Sequence, residues 1–334
     1  MEVKISAQDV NKLRIATGVG MMDCKHALVE AEGDFEKAID ILRKKGQKVA
    51  AKRADRTADQ GRVIAKTNAD HTKAYILVLS CETDFVGKNA EFVALSDKLI
   101  DLAMEKDVAT REELLALTLD GRTVSDLILD LTGKTGEKIE LPAYNVIAAA
   151  HVTAYNHLGN RLGCIAGFNL PNVEETAHEV ALQIAAMNPM ALSADSIAED
   201  VKAHELSVII EKTKADEVAK FVENAIRKAG INPAHVDSDD HIESNMTKGW
   251  ITPEQAQQAR EIKATATAEA QANLDKQAKK IEMISQGRLQ KYYKENTLLA
   301  QDYYADSHIN VADFMKKADA NLTCTGYYRL QLGD

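Results

Sequence analysis

Asp84 and Phe85 stand side by side in the run Ser80-Cys-Glu-Thr-Asp-Phe-Val-Gly-Lys-Asn89, at the exit of the apolar run Ala74-Tyr-Ile-Leu-Val-Leu79. An acid beside a large aromatic, held at a strand-to-helix turn, can push into another macromolecule and displace something there. The chemistry on offer is mechanical, because the run carries no nucleophile paired with a base. Other covalent chemistries lack their residues. The four cysteines, Cys24, Cys81, Cys164 and Cys324, are far apart and form no Cys-x-x-Cys pair, which argues against zinc or thioredoxin-like chemistry. The nine histidines show no His-x-x-x-His spacing, so no metal is expected. No Gly-x-Ser-x-Gly is present. Gly18-Val-Gly20 follows no strand and precedes no Gly-Lys-Ser/Thr, so it reads as a turn between helices rather than a phosphate loop.

The elements that must position the pair follow from pattern. Ala74–Leu79 reads as a buried strand, and Phe92, Leu95, Leu99 and Leu102 give the following helix an inward face. The 334 residues suffice for two or three domains with cores. A formal charge of −10 argues against non-specific binding to nucleic acid or an anionic membrane. No stretch approaches the roughly 20 apolar residues of a membrane span, and no signal peptide is evident. With its scattered cysteines, the chain is expected in the cytoplasm.

Four regions are expected in an α+β chain. Residues 1–55 read as a three-helix unit. Ser6 and Asp9 start the first helix, Thr17-Gly18-Val19-Gly20 breaks it, and Asp34 caps the third, whose tail is Arg43-Lys44-Lys45. One of Met21 and Met22 is expected to pack inward, since adjacent helix positions face different ways. Lys48–Gln60 reads as a linker whose basic residues Lys48, Lys52, Arg53 and Arg56 form a solvated face. Residues 56–142 form the first half of an α+β core, with Gly133–Gly136 a turn. Residues 143–196 and 292–334 form the second half and a short C-terminal module, with strands at Tyr144–Tyr155, Leu162–Leu170 and Gly326–Leu332, the last able to join the core sheet. Residues 197–291 are rich in Ala, Lys, Glu and Gln, and their apolar stripes predict two long helices folded into a hairpin.

Thr17-Gly-Val-Gly-Met-Met-Asp-Cys-Lys-His-Ala-Leu28 together with Thr83-Asp-Phe-Val86 resembles the elongation factor Ts family, and the resemblance runs in order along essentially the whole chain. It implies a ubiquitin-associated-like unit, an α+β core, a coiled-coil hairpin and a C-terminal module. It implies guanine-nucleotide exchange on elongation factor Tu, without covalent chemistry, cofactor, direct nucleic-acid binding or membrane binding. In family terms Thr83, Asp84, Phe85 and Val86 disturb the partner's Mg2+ and phosphate site. Arg14, Met21, Met22 and Lys25 grip its G domain. Thr135, Gly136, Gln183, Tyr303 and Tyr304 make the remaining contacts. Two other classes are weighed. An adaptor would bind through Gly18–Met22 without need of Phe85, and an enzyme would need convergent titratable groups in a pocket, which the sequence does not offer.

Overall fold

The structure, a computed structural model, describes residues 5–334. Contacts divide the chain into two compact units: residues up to Leu192 together with Gln301–Asp334, and Ser193–Ala300. The first unit begins with three helices, α1 (Ala7–Thr17), α2 (Met21–Glu30) and α3 (Phe35–Lys52). Ser6 and Asp9 form a reciprocal capping box, Gly18 ends α1 in the left-handed region at φ 68°, and Asp34 caps α3 through the Lys37 N–H. Val10, Leu13, Cys24, Leu28, Ala38 and Leu42 fill the space between the helices.

Two antiparallel three-stranded sheets follow. β1 (Gln60–Thr67) and β2 (Lys73–Cys81) lead into α4 (Asp84–Gly87), α5 (Ala90–Lys106) and α6 (Arg111–Ala116). A small ribbon of β3 (Thr118–Leu119) and β4 (Arg122–Thr123) precedes α7 (Val124–Thr135) and β5 (Ile139–Ala148), and the first sheet runs β1-β2-β5. Then come β6 (His151–Asn156), β7 (Leu162–Phe168) and α8 (Glu174–Met187).

Within the second unit lie α9 (Glu199–Lys228), α10 (Asp239–Thr247), α11 (Pro253–Ala272) and α12 (Ala278–Asn296). The first unit resumes with β8 (Asp302–Tyr303), β9 (Asp306–Asn310), α13 (Val311–Ala318) and β10 (Cys324–Gln331). β10 joins the second sheet, in the order β10-β7-β6. The architecture is α+β.

Strand β2 explains why its sequence does not alternate. Tyr75, Leu77 and Leu79 point into a core shared with α5, α6 and α7, while Ala74, Ile76 and Val78 point into a second core shared with Val152 and Ile165 of the other sheet. A strand covered on both faces must be apolar at every position. Burying each such side chain contributes roughly 1.5–3 kcal/mol.

Four expectations require correction. Helix α3 continues to Lys52, through the start of the expected linker. Gly46 does not break it, because its bare Cα lets α3 lie against α7. A Cβ there would sit 3.3 Å from the Leu129 carbonyl oxygen and 3.6 Å from the Cα of Gly133. The expected turn at Gly133–Gly136 is mostly the last turn of α7, with only Gly136, at φ 72°, outside it as the cap. The strand expected over Tyr144–Tyr155 is two strands, β5 and β6, which belong to different sheets. In the second unit the outgoing helix α9 is continuous but the return leg is broken. Asn273 ends α11 by bonding its side chain back to the Glu269 carbonyl at 2.9 Å, and a short 3-10 turn at Asp275–Gln277 follows. The far end of this hairpin is a folded cap, in which Ile231, Val236, Ile242 and Ile251 make a core with Ile226, Ala256 and Ala259.

Gly61 ties the first sheet to what sits on it. Its φ is 130°, and a Cβ would lie 2.2 Å from the Leu79 carbonyl oxygen. Gly121, at φ 80°, has open space around it. Gly61→Ala is expected to lower unfolding free energy by about 3 kcal/mol, and Gly121→Ala by about 1 kcal/mol, the strain of positive φ alone. Urea unfolding of the two variants checks the difference. Equal losses would mean that β2 yields freely at Leu79.

Candidate functional site

The turn that carries Asp84 and Phe85 is fixed residue by residue. Cys81 is the last residue of β2, and its Sγ lies 3.2 Å from the Thr83 carbonyl oxygen. Glu82 accepts two hydrogen bonds from Arg53 Nη1, at 2.8 Å on Oε1 and 2.7 Å on Oε2, and a third from the Lys138 backbone N–H at 2.7 Å. Thr83 donates its N–H to Glu137 Oε2 at 3.0 Å and its hydroxyl to Glu137 Oε1 at 2.7 Å. It also caps the four-residue helix α4 by accepting the Val86 N–H. Val86 packs against the core beneath the first sheet. Gly87 lets the turn sit directly on β1, since a Cβ there would lie 3.2 Å from the Cα of Gly61.

Phe85 is the one large side chain of this turn that stays outside, at 85 % exposure. The ordinary fate of an aromatic at a strand end is burial in its own core, and that is not the arrangement here. A single exposed apolar residue needs no special account. What sets Phe85 apart is the number of hydrogen bonds that hold its short helix. Beside it Asp84 pairs with Lys88 at 2.6 Å, which holds the Asp84 carboxyl below the usual carboxylate range. Burial pushes the Glu82 carboxyl up, but the Lys138 N–H and the Arg53 guanidinium outweigh it, and Glu82 titrates below its ordinary 4.5.

An open cleft of about 920 Å³ runs beside the turn. Phe85 and Lys88 form one wall, Gly61 and Arg62 are among the residues lining it, and Gly159, Asn160 and Arg161 belong to the loop that joins β6 to β7. Leu158, in that same loop, is 90 % exposed. This second apolar projection escaped the sequence reading. The available signal was a leucine inside a Gly/Asn turn. Glu82 and Glu137 escaped as well, and no local pattern announces them, because their partners lie 29 to 56 residues away.

The other expected site residues divide by position. Arg14, Met21, Met22 and Lys25 are all exposed, the two methionines at 55 and 59 %, so neither is helix packing. They flank the loop at Gly18–Gly20. Thr135 and Gly136 immediately precede Glu137, so the structure joins them to the Phe85 turn through that carboxylate.

Gln183 differs from the expected contact: it has no exposed surface. Its amide donates to Gln301 Oε1 and the Asp302 carbonyl, and its oxygen accepts the Tyr304 N–H at 2.8 Å. A side chain so used holds Tyr304 in place and offers nothing outward. Tyr303 is buried and stacked on Phe314 with ring centroids 4.1 Å apart, whereas Tyr304 is partly exposed. Both phenols donate to Glu179, and Arg53, expected on a solvated face, is in fact engaged by Glu82. Among the described residues no group of three or more His, Cys, Asp or Glu could hold a metal ion, and no helix is long and apolar enough to cross a membrane.

Comparison with known proteins places these features in a family context. The family model described as Elongation factor TS matches residues 82–334. A protein named Elongation factor Ts from Bacteroides thetaiotaomicron is 48 % identical over 329 residues, covering 98 % of both chains. Its counterpart from Parabacteroides distasonis is 49 % identical over 329 residues, again covering 98 % of each. That of Flavobacterium psychrophilum is 38 % identical over 331 residues, covering 98 % of this chain and 99 % of its own.

Two outcomes follow from the anchoring. Glu137→Ala leaves the Thr83 N–H and hydroxyl without their carboxylate and is expected to cost about 1–3 kcal/mol locally. Amide exchange at Gly87 and Lys88 should then quicken about tenfold or more, with α9 unchanged. Glu82, with its folded carboxyl lowered, contributes stability that is fully present above its ordinary 4.5 and is lost as pH falls through the lower folded value. Glu82→Gln should therefore flatten the fall in stability as pH drops below the ordinary 4.5, as measured by urea midpoints. An unchanged acid limb would show that Glu82 is not held in this way.

Proposed function

The chain belongs to the elongation factor Ts family, and from that premise we propose that it is a guanine-nucleotide exchange factor for elongation factor Tu, acting in translation elongation in the cytoplasm without covalent chemistry. The observation that carries the reading is Phe85, exposed on a turn fixed by Glu82 and Glu137. In this proposal the turn Thr83–Val86 approaches the GDP-bound partner, and the phenyl ring enters between helices of its G domain. That insertion shifts the loop holding the partner's magnesium. Magnesium demands a nearly regular octahedral shell, so a small displacement costs the ion its place. Without the ion the diphosphate loses much of its charge neutralisation and leaves.

Arg14, Met21, Met22 and Lys25 supply a separate grip on the same G domain. Met side chains suit such a surface, being flexible and polarisable. Thr135, Gly136 and Tyr304 add further contact, with Gln183 and Tyr303 supporting from beneath. The cleft and Leu158 beside Phe85 extend the surface toward the second sheet.

Magnitudes limit what the ring alone can do. Exchange rests on reciprocal coupling: what the factor takes from GDP affinity, GDP takes from the factor's affinity. A 100-fold weakening of GDP requires about 2.7 kcal/mol. Burial of one phenylalanine is worth roughly 1.5–3 kcal/mol. The ring therefore supplies from about half to all of such a coupling and no more, and the remaining surface must hold the distorted partner.

Fluorescent-GDP release from elongation factor Tu tests the proposal. At saturating factor, Phe85→Ala should slow stimulated release by about tenfold or more, while affinity for the nucleotide-free partner falls by less. Full activity of Phe85→Ala would rule out the wedge.

A further inference from the structure

Helix α3 ends at Lys52, and Arg53 is its C-cap. The Arg53 guanidinium lies across both oxygens of Glu82, the residue immediately before the Thr83 cap of the Phe85 turn. Nearer its start, α3 packs on α2, the helix that carries Met21 and Met22, through a shared core of Cys24, Ala27 and Leu28 with Ala38 and Leu42. Farther along, at Gly46, it lies on α7 against Gly133. One helix of 18 residues therefore connects the core beneath the exposed methionines to the base of the projecting ring.

We propose that Arg53 and Glu82 are a positioning pair, through which engagement of the three-helix unit is passed to the Phe85 turn. This inference rests on the exchange reading above and adds to it residues that lie outside the projecting motif. Its physical basis is burial and geometry. The Glu82 side chain is only 12 % exposed and Arg53's 34 %, so solvent screens the pair incompletely. Both Glu82 oxygens are used, so the carboxylate cannot swing to follow Arg53 without dragging its own backbone or releasing the Lys138 N–H. A displacement of α3 is passed on at Glu82 and, one residue later, at Thr83, the cap of the helix that presents the ring. A surface ion pair would dissipate the same displacement in side-chain motion.

The test separates positioning from docking. Stimulated release of fluorescent GDP is measured against factor concentration for the full chain, Arg53→Ala, Arg53→Lys, Glu82→Gln, the double variant Arg53→Ala/Glu82→Gln, and Phe85→Ala. Arg53→Ala should lower the maximal rate about tenfold and move the half-saturating concentration less than about twofold, since the loss falls after docking. Arg53→Lys keeps the charge on a differently shaped, more strongly hydrated head and should recover part of the rate. The double variant should be no slower than the slower single, because both remove the same link. Urea midpoints confirm that each variant is folded.

A change confined to half-saturation, or strictly additive losses in the double variant, would overturn the pair's role. So would Arg53→Ala at full rate while Phe85→Ala is slow, and in that case the exchange reading stands. Phe85→Ala at full rate would instead remove the reading on which the pair depends.

Discussion

The hydrogen bonds between Glu137 and Thr83 are the constraint on which the working surface depends. A four-residue helix has no stability of its own, because nucleation costs more than one turn returns. Here α4 survives because its cap residue is held at both N–H and hydroxyl by one carboxylate, and the preceding residue is held by another set. Neither anchor belongs to the turn. Glu137 and Lys138 come from the segment between α7 and β5, and Arg53 from the end of α3. A projecting side chain is thus positioned by two separate parts of the fold.

The first sheet has to be rigid for the anchors to matter. Strand β2 delivers the chain to Cys81 from between two cores, so it can neither slide nor twist without disturbing both. Gly61 and Gly87 then allow backbone to approach backbone where any side chain would hold them apart. A turn mounted farther from the sheet would gain room for side chains and lose its direct seat on β1. The cleft beside it has the same origin, since the β6–β7 loop of the second sheet reaches toward β1, where Asn156 bonds both the N–H and the carbonyl of Ala65.

Much of this was legible in the sequence, and the illegible part has a common cause. The capping residues Ser6 and Asp34 and the buried strand are local, and local rules found them, whereas the exposure of Phe85 was expected only through the family resemblance. The end of α3 was misplaced because Lys48–Gln60 looks polar and loop-like. What keeps the helix going is a glycine contact 87 residues away, between Gly46 and Gly133, which no window sees. Gln183 was named only through the family resemblance, and only the fold shows that three hydrogen bonds absorb its side chain. The break at Asn273 fell within an apolar stripe that continues across it, so periodicity alone could not place it.

The rigidity of the turn decides whether inserting one ring does anything useful. Ordering a residue's backbone costs about 1–2 kcal/mol, so a disordered four-residue segment would forfeit about 4–8 kcal/mol on binding. The buried ring returns roughly 1.5–3 kcal/mol. On a floppy loop Phe85 would therefore insert at a net loss, and the partner's own structure would win. On a turn already fixed by Glu82, Thr83 and Glu137, the ordering cost has been met in folding, and the ring's burial is available to distort the partner. The same reasoning explains why the anchors are charged side chains with all their oxygens engaged. A neutral, singly bonded anchor would yield first, and the strain meant for the neighbour would be relieved inside this chain.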